Sequence, residues 1–160
     1  IERIDQEPVD ASITIKYMVP WSDNSIINQG TVDALLSHSV LEHVVDLEET
    51  YLAFYRWLKP KGFMSHQIDF KSHGLSDTWN GYRACSEFLW KIIMGNRPFL
   101  INRQPHSTHT NQLRKNRFKI ICDLTRHRDD GIRRSELSNS WQNISDSDLT
   151  CCEAFIQACK

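Results

Sequence analysis

The stretch from Val32 to Phe70, VDALLSHSVLEHVVDLEETYLAFYRWLKPKGFMSHQIDF, most limits what this chain can fold into, because two short apolar runs flank one amphipathic helix. Val32-Asp33-Ala34-Leu35-Leu36 ends in the polar Ser37-His38-Ser39, the pattern of a buried strand that delivers its C-terminal end to a site. From Leu47 the apolar positions Leu47, Tyr51, Phe54, Tyr55 and Leu58 form the stripe of a helix that packs one face on a sheet. Asp46 is placed to cap that helix, with Glu49 three residues on. Proline cannot continue the ladder and glycine takes turns, so Lys59-Pro60-Lys61-Gly62 predicts its stop. Phe63 to Phe70 then reads as a second strand. A strand, helix, strand unit with so short a turn makes the two strands parallel. Ligands of such sheets bind beyond the carboxyl ends of the strands, here Ser37-His38-Ser39 and His66-Gln67-Ile68-Asp69.

The remaining chain is expected to build around this unit as one domain, since 160 residues suffice for a single core. Ile13 to Tyr17 alternates like a strand, and Met18 to Gly30 is rich in turn residues, with Trp21 as a core plug or a flat surface for a ring. A helix is expected over Asp77 to Met94, with Tyr82, Cys85, Ser86, Leu89, Ile92 and Ile93 on one face. A polar loop should follow over Arg97 to His109, then a short helix over Thr110 to Asn116 and a strand over Phe118 to Leu124. Arg126 to Ser147 reads as a loop anchored by Trp141, and Glu153 to Lys160 as a closing strand that forms an antiparallel hairpin with its predecessor.

Nineteen basic against twenty acidic residues give a net charge of -1, so no global field draws the chain to nucleic acid or an anionic membrane. No run reaches the roughly 18 apolar residues of a membrane span, and the amino terminus has no signal-peptide pattern, which makes the cytoplasm the expected location. Five cysteines, two of them adjacent, suggest reduced thiols rather than a disulfide framework.

The order of a short apolar strand, SxxxLEHV, a capped helix, LKPxG and a strand resembles the second half of class I S-adenosylmethionine-dependent methyltransferases. HQIDFKSH followed by NRPFLINRQPHSTH looks like a bacterial branch of that class. The resemblance runs from about Ile13 to Lys160. It implies an α/β fold: a Rossmann-like methyltransferase sheet, mostly parallel with a C-terminal antiparallel hairpin, truncated at the N-terminus, in a single partial domain over residues 1–160. It implies the strands at Val32, Phe63, Glu153 and Phe118 in that spatial order, S-adenosyl-L-methionine as cofactor, and Asp23, Ser37, His38 and Glu42 on the cofactor side. Two parts of the family pattern are missing: none of the six glycines forms a GxG turn, and no acidic residue follows a second strand to hold the ribose. The 160 residues alone are therefore expected to hold the cofactor weakly. A non-catalytic remnant or interaction module with the same sheet is the alternative.

Methyl transfer to oxygen needs the acceptor deprotonated as the bond forms, and a histidine or carboxylate can do this. His66 and Asp69 are the candidates, although residues three apart on a strand face opposite ways. His73, Arg97, Asn102, Arg103, His106 and His109 are candidates for holding a small-molecule or glycan acceptor, through its carboxylate, phosphate or hydroxyls. No metal is expected, because His106 and His109 have no third ligand at a recognisable spacing.

Overall fold

The computed structural model describes residues 14–17, 24–97 and 99–160. Its framework is a four-stranded sheet built from β1 (Val32–His38), β2 (Leu58–Asp69), β3 (Lys119–His127) and β4 (Cys151–Cys159), ordered β1-β2-β4-β3. β1 and β2 run parallel, and β4 lies antiparallel to both of its neighbours. This is the expected order, with the closing strand inserted between the parallel pair and its hairpin partner.

The helix α1 (Leu47–Trp57) joins β1 to β2. The Asp46 carboxylate accepts the Glu49 backbone N–H at 2.9 Å and so satisfies one of the orphan donors of the first turn. Beyond the helix the chain is extended from Leu58, so β2 starts earlier than the sequence implies, with regular parallel pairing only from Phe63. The left-handed backbone that the turn requires falls on Lys61, at φ 68°. Gly62 is needed for a different reason: a Cβ there would stand 2.9 Å from the Lys59 carbonyl oxygen.

Along β2 the residues Met64, His66, Ile68 and Phe70 are buried, while Phe63, Ser65, Gln67 and Asp69 are not. The buried face packs Met64, Ile68, Ala154, Ile156 and Ala158 against Leu47 and Tyr51 of α1 and Leu113 of α3 (His106–Lys115). The opposite face is uncovered among the described residues: Leu36 is 73% exposed and Leu124 63%, and Phe63 and Phe155 are also exposed. β1 is therefore a one-sided strand rather than the fully buried one its apolar run suggested, because α1 and α3 lie on the same side.

Three other expectations change. Residues 14–17 form no strand, while Ile13, Trp21 and Asp23 lie outside the described residues. The helix expected over Asp77 to Met94 is instead a 3-10 turn at Gly81–Ala84 followed by α2 (Glu87–Met94), because Ser86 caps a new start by accepting the Leu89 N–H at 3.2 Å. The interruption breaks the expected apolar face: Tyr82 and Trp90 are buried with Ile101, whereas Ile92 is 61% exposed. Finally, α3 begins at His106, with Pro105 at its N-cap, so the loop read over Arg97 to His109 ends early and both of its histidines are helical. The segment after β3 holds a short helix, α4 (Asp146–Thr150), and Trp141 anchors it by lying against the Arg83 guanidinium at 4.8 Å.

All five cysteines are free, as expected, and burial pushes the Cys151 thiol up to about 12, which keeps it protonated.

Candidate functional site

Parallel pairing sets Ser37 opposite His66 and His38 opposite Gln67, which brings the carboxyl ends of β1 and β2 to one edge. Sheet alternation then separates the two candidate bases. His66 points to the buried face, where its Nδ1 lies 2.7 Å from Ser37 Oγ and its ring stacks on Phe54 at 5.4 Å and 12°. Burial pulls its pKa down to about 4, so it is neutral at pH 7 and a weak base. Asp69 lies on the other face at the strand end. Its carboxylate accepts the Lys71 backbone N–H at 2.8 Å, pairs with Lys71 Nζ at 3.2 Å, and stands 3.8 Å from His73 Nε2. His66 and Asp69 do not converge.

Asp69 lines a small cavity of about 10 Å³, room for about one water-sized group, together with Glu42, Lys71, Tyr82, Asn102 and Arg103. Glu42 is its least conventional member: 3% exposed, with neither carboxylate oxygen closing a hydrogen bond. Burial pushes its carboxyl above the usual range, an effect that the nearby backbone N–H groups and His43 partly offset. Ser37 is committed to His66, and His38 is exposed on the uncovered face of the sheet. Of the three described cofactor-side candidates only Glu42 therefore reaches this cavity.

The expected acceptor-binding residues divide. His73 lies next to Asp69 but does not line the cavity. Arg97 is exposed and donates to the Ile93 carbonyl at the end of α2. Asn102 spends its amide on the carbonyls of Leu41 and Val44, at 2.7 and 2.8 Å, and so clamps the LEHV segment. Arg103 is held at φ 62° with its guanidinium over Trp90, donating to Cys85 O at 3.1 Å and to Glu87 at 2.8 Å. His106 pairs with Asp123 at 2.7 Å on β3. His109 is fully buried beneath Tyr51, 3.0 Å from its hydroxyl, and burial pulls its pKa down to about 3. These two histidines are spent on holding α3 to the rest of the fold.

The clamp role of Asn102 gives a direct prediction. Asn102→Ala strands two carbonyls and should cost about 1–3 kcal/mol in urea unfolding. A loss within about 0.5 kcal/mol, the usual range for surface changes, would show that these bonds are exchanged freely for water.

Sequence reasoning missed one grouping. Ligand atoms of Glu42, His43 and His73 lie within 4.8 Å of one another. The only sequence signal was the EH pair in LEHV, since His73 follows it by 30 residues on the far side of β2.

The sheet order and its antiparallel insertion can now be set beside known proteins. Residues 6–65 match a family model described as a methyltransferase domain. The chain superposes on an S-adenosylmethionine-dependent methyltransferase from Mesorhizobium loti with a TM-score of 0.52 at 14% identity, over 84% of this chain and 64% of that one. This is the fold of the class I S-adenosylmethionine-dependent methyltransferases. A SAM-dependent methyltransferase from Methanosarcina mazei shares it at a TM-score of 0.51 and 12% identity, over 84% of this chain and 61% of that one. The chain thus spans less than two thirds of these methyltransferases. No curated protein matches its sequence. Within this methyltransferase fold, the cavity of Glu42 and Asp69 lies at the carboxyl end of β2, where the sheet rule places ligands.

Proposed function

We propose that the chain supplies the acceptor side of an S-adenosyl-L-methionine-dependent methyl transfer to a small molecule or glycan. The observation that carries this is the polar cavity of Glu42, Asp69, Lys71 and Tyr82 at the carboxyl edge of a methyltransferase sheet. With Tyr82 committed to the Phe70 carbonyl at 2.8 Å, the Glu42 and Asp69 carboxylates suit one hydroxyl of an acceptor whose remainder stays outside the cavity. A net charge of -1 offers no track for nucleic acid. Among the described residues no helix is long and apolar enough to cross a membrane. A cytoplasmic setting is part of the proposal.

In this reading Asp69, not His66, takes the acceptor proton, because Asp69 lines the cavity while His66 is buried under α1 with its basicity suppressed. Glu42 closes the floor, and Asn102 and Arg103 hold the surrounding loops in place. The residues present fit only the strand-end portion of the cofactor site, since the sequence has no GxG turn and no ribose carboxylate. A second reading is a non-catalytic module built on the same sheet, since Ser37 is committed to His66 and neither Ser37 nor His38 lines the cavity.

One experiment separates the two. The chain is fused behind the glycine-turn half of a methyltransferase of this fold and given isotopically labelled S-adenosylmethionine with cell extract, and products are read by mass spectrometry. A labelled small product that disappears with Asp69→Asn supports the proposal. A fusion that folds and binds cofactor but labels nothing supports the non-catalytic module.

A further inference from the structure

We propose that Glu42, His43 and His73 bind one divalent transition-metal ion at the edge of the sheet. The inference rests on the side chains themselves and not on the methyltransferase reading.

Three observations carry it. The first is position: the three side chains bring ligand atoms within 4.8 Å of one another, with the two imidazoles 5.1 Å apart edge to face. Atoms bound to one ion at about 2.0–2.2 Å in a tetrahedral site stand about 3.3–3.6 Å apart. The closing required is at most about 1.5 Å, and His73, on a loop with its backbone at φ 50° beside Gly74 at φ 81°, can supply it by a side-chain and loop shift.

The second observation is Glu42. A carboxylate that is 3% exposed and closes no hydrogen bond has only the partial relief of nearby backbone N–H groups and His43, less than buried charges otherwise have. Asp69, the carboxylate nearest the group, stands 3.8 Å from His73 Nε2 and adds like charge rather than relief. A divalent cation at this point would satisfy Glu42.

The third is the state of His43. Its Nδ1 lies 2.9 Å from the Phe99 carbonyl oxygen, which can only accept, so Nδ1 carries the proton. Nε2 then presents a lone pair. A ring held by a backbone carbonyl on one nitrogen and free on the other is the arrangement of a metal-bound histidine and its outer-shell partner.

Two imidazoles and a carboxylate select zinc, iron, cobalt, nickel or copper over magnesium and calcium, which prefer all-oxygen sites. Three protein ligands leave a coordination position for water or for an oxygen of a bound molecule.

The test is titration of the metal-stripped 160-residue chain with Co²⁺, followed by visible absorption and thermal unfolding. One equivalent should bind at micromolar affinity with nitrogen–oxygen d–d bands and raise the melting temperature. His73→Asn is the primary variant, because the loop is exposed and asparagine tolerates positive φ. It should weaken binding at least about a hundredfold, since even outer-shell partners are worth about 10–100-fold. Glu42→Gln should do the same while leaving the apo melting temperature unchanged or higher. His127→Asn, on an exposed histidine of β3, should leave binding unchanged. Binding that survives both His73→Asn and Glu42→Gln, sulfur charge-transfer bands marking a cysteine site, or no binding below millimolar cobalt would each overturn the proposal.

Discussion

Acidification from pH 6.5 towards pH 4 should destabilise this fold by about 1.4 kcal/mol per pH unit for each of two histidines, nearly enough together to unfold an ordinary domain. His66 and His109 are buried neutral, with pKa values pulled down to about 4 and about 3, against about 6.5 in the unfolded chain. The sign follows from proton counting. Below pH 6.5 the unfolded chain takes up two protons that the folded chain refuses, so stability is full above pH 6.5 and falls until the folded pKa values are reached. Each ring also has one nitrogen engaged, His66 Nδ1 with Ser37 Oγ and His109 Nδ1 with the Tyr51 hydroxyl, and its Nε2 buried with no acceptor for the second N–H of an imidazolium. Urea unfolding at half-unit steps of pH checks this. His109→Gln should roughly halve the slope between pH 6 and 4.5. An unchanged slope would mean that His109 is protonated in the folded state, and the packing around it would then have to be wrong.

Truncating the sheet side of the core should cost nearly as much. Ile156 is 1% exposed in the central antiparallel strand, where it meets α1 and α3, and Ile156→Ala should cost about 2–5 kcal/mol. Phe54→Ala should cost less than the 3–5 kcal/mol of a fully enclosed phenylalanine, because Phe54 is only partly buried. Its stacking on His66 nevertheless makes it worth more than Leu52, which lies off the core stripe. Chemical denaturation at pH 7 ranks the three. A Leu52→Ala loss equal to that of Ile156→Ala would contradict the assignment of α1's inner face.

The central unit was legible because period and punctuation agree. The stripe from Leu47, the Asp46 cap and the proline–glycine stop each point to the same helix, and the helix and its cap appear in the structure. The helix ends at Trp57, before the proline, so Leu58 falls in β2, and Thr50, Ala53 and Trp57 are buried where Phe54 and Tyr55 are only partly so. Strand order was also legible, although through the methyltransferase resemblance rather than through periodicity. What failed did so for local reasons. The HSTH turn of α3 is polar enough to read as loop, while Pro105, a helix-start signal, was passed over. Ser86 restarts a helix inside what looked like one continuous face. The site was legible only in part. Alternation correctly placed His66 and Asp69 on opposite faces, but nothing in the sequence says which face the helices cover. Asn102 and Arg103 look like ligand-binding residues from composition, and their use as backbone clamps emerges only when the LEHV and α2 segments are brought beside them. The Glu42, His43 and His73 group depends on a fold-level meeting across 30 residues, for which no spacing rule exists.

We propose that this chain provides the strand-end side of a methyltransferase site, while none of its glycines forms the GxG turn that would grip the cofactor. Calorimetric titration of S-adenosylhomocysteine tests it most directly, on the 160-residue chain and on its fusion to a glycine-turn half. Micromolar binding corresponds to about -8 kcal/mol, and the charged and backbone hydrogen bonds of the missing turn and ribose carboxylate are worth about 1.5–3 kcal/mol each. The predicted result is millimolar binding or none for the chain and micromolar binding for the fusion. Micromolar binding by the chain alone, or a folded fusion that binds nothing, would contradict it.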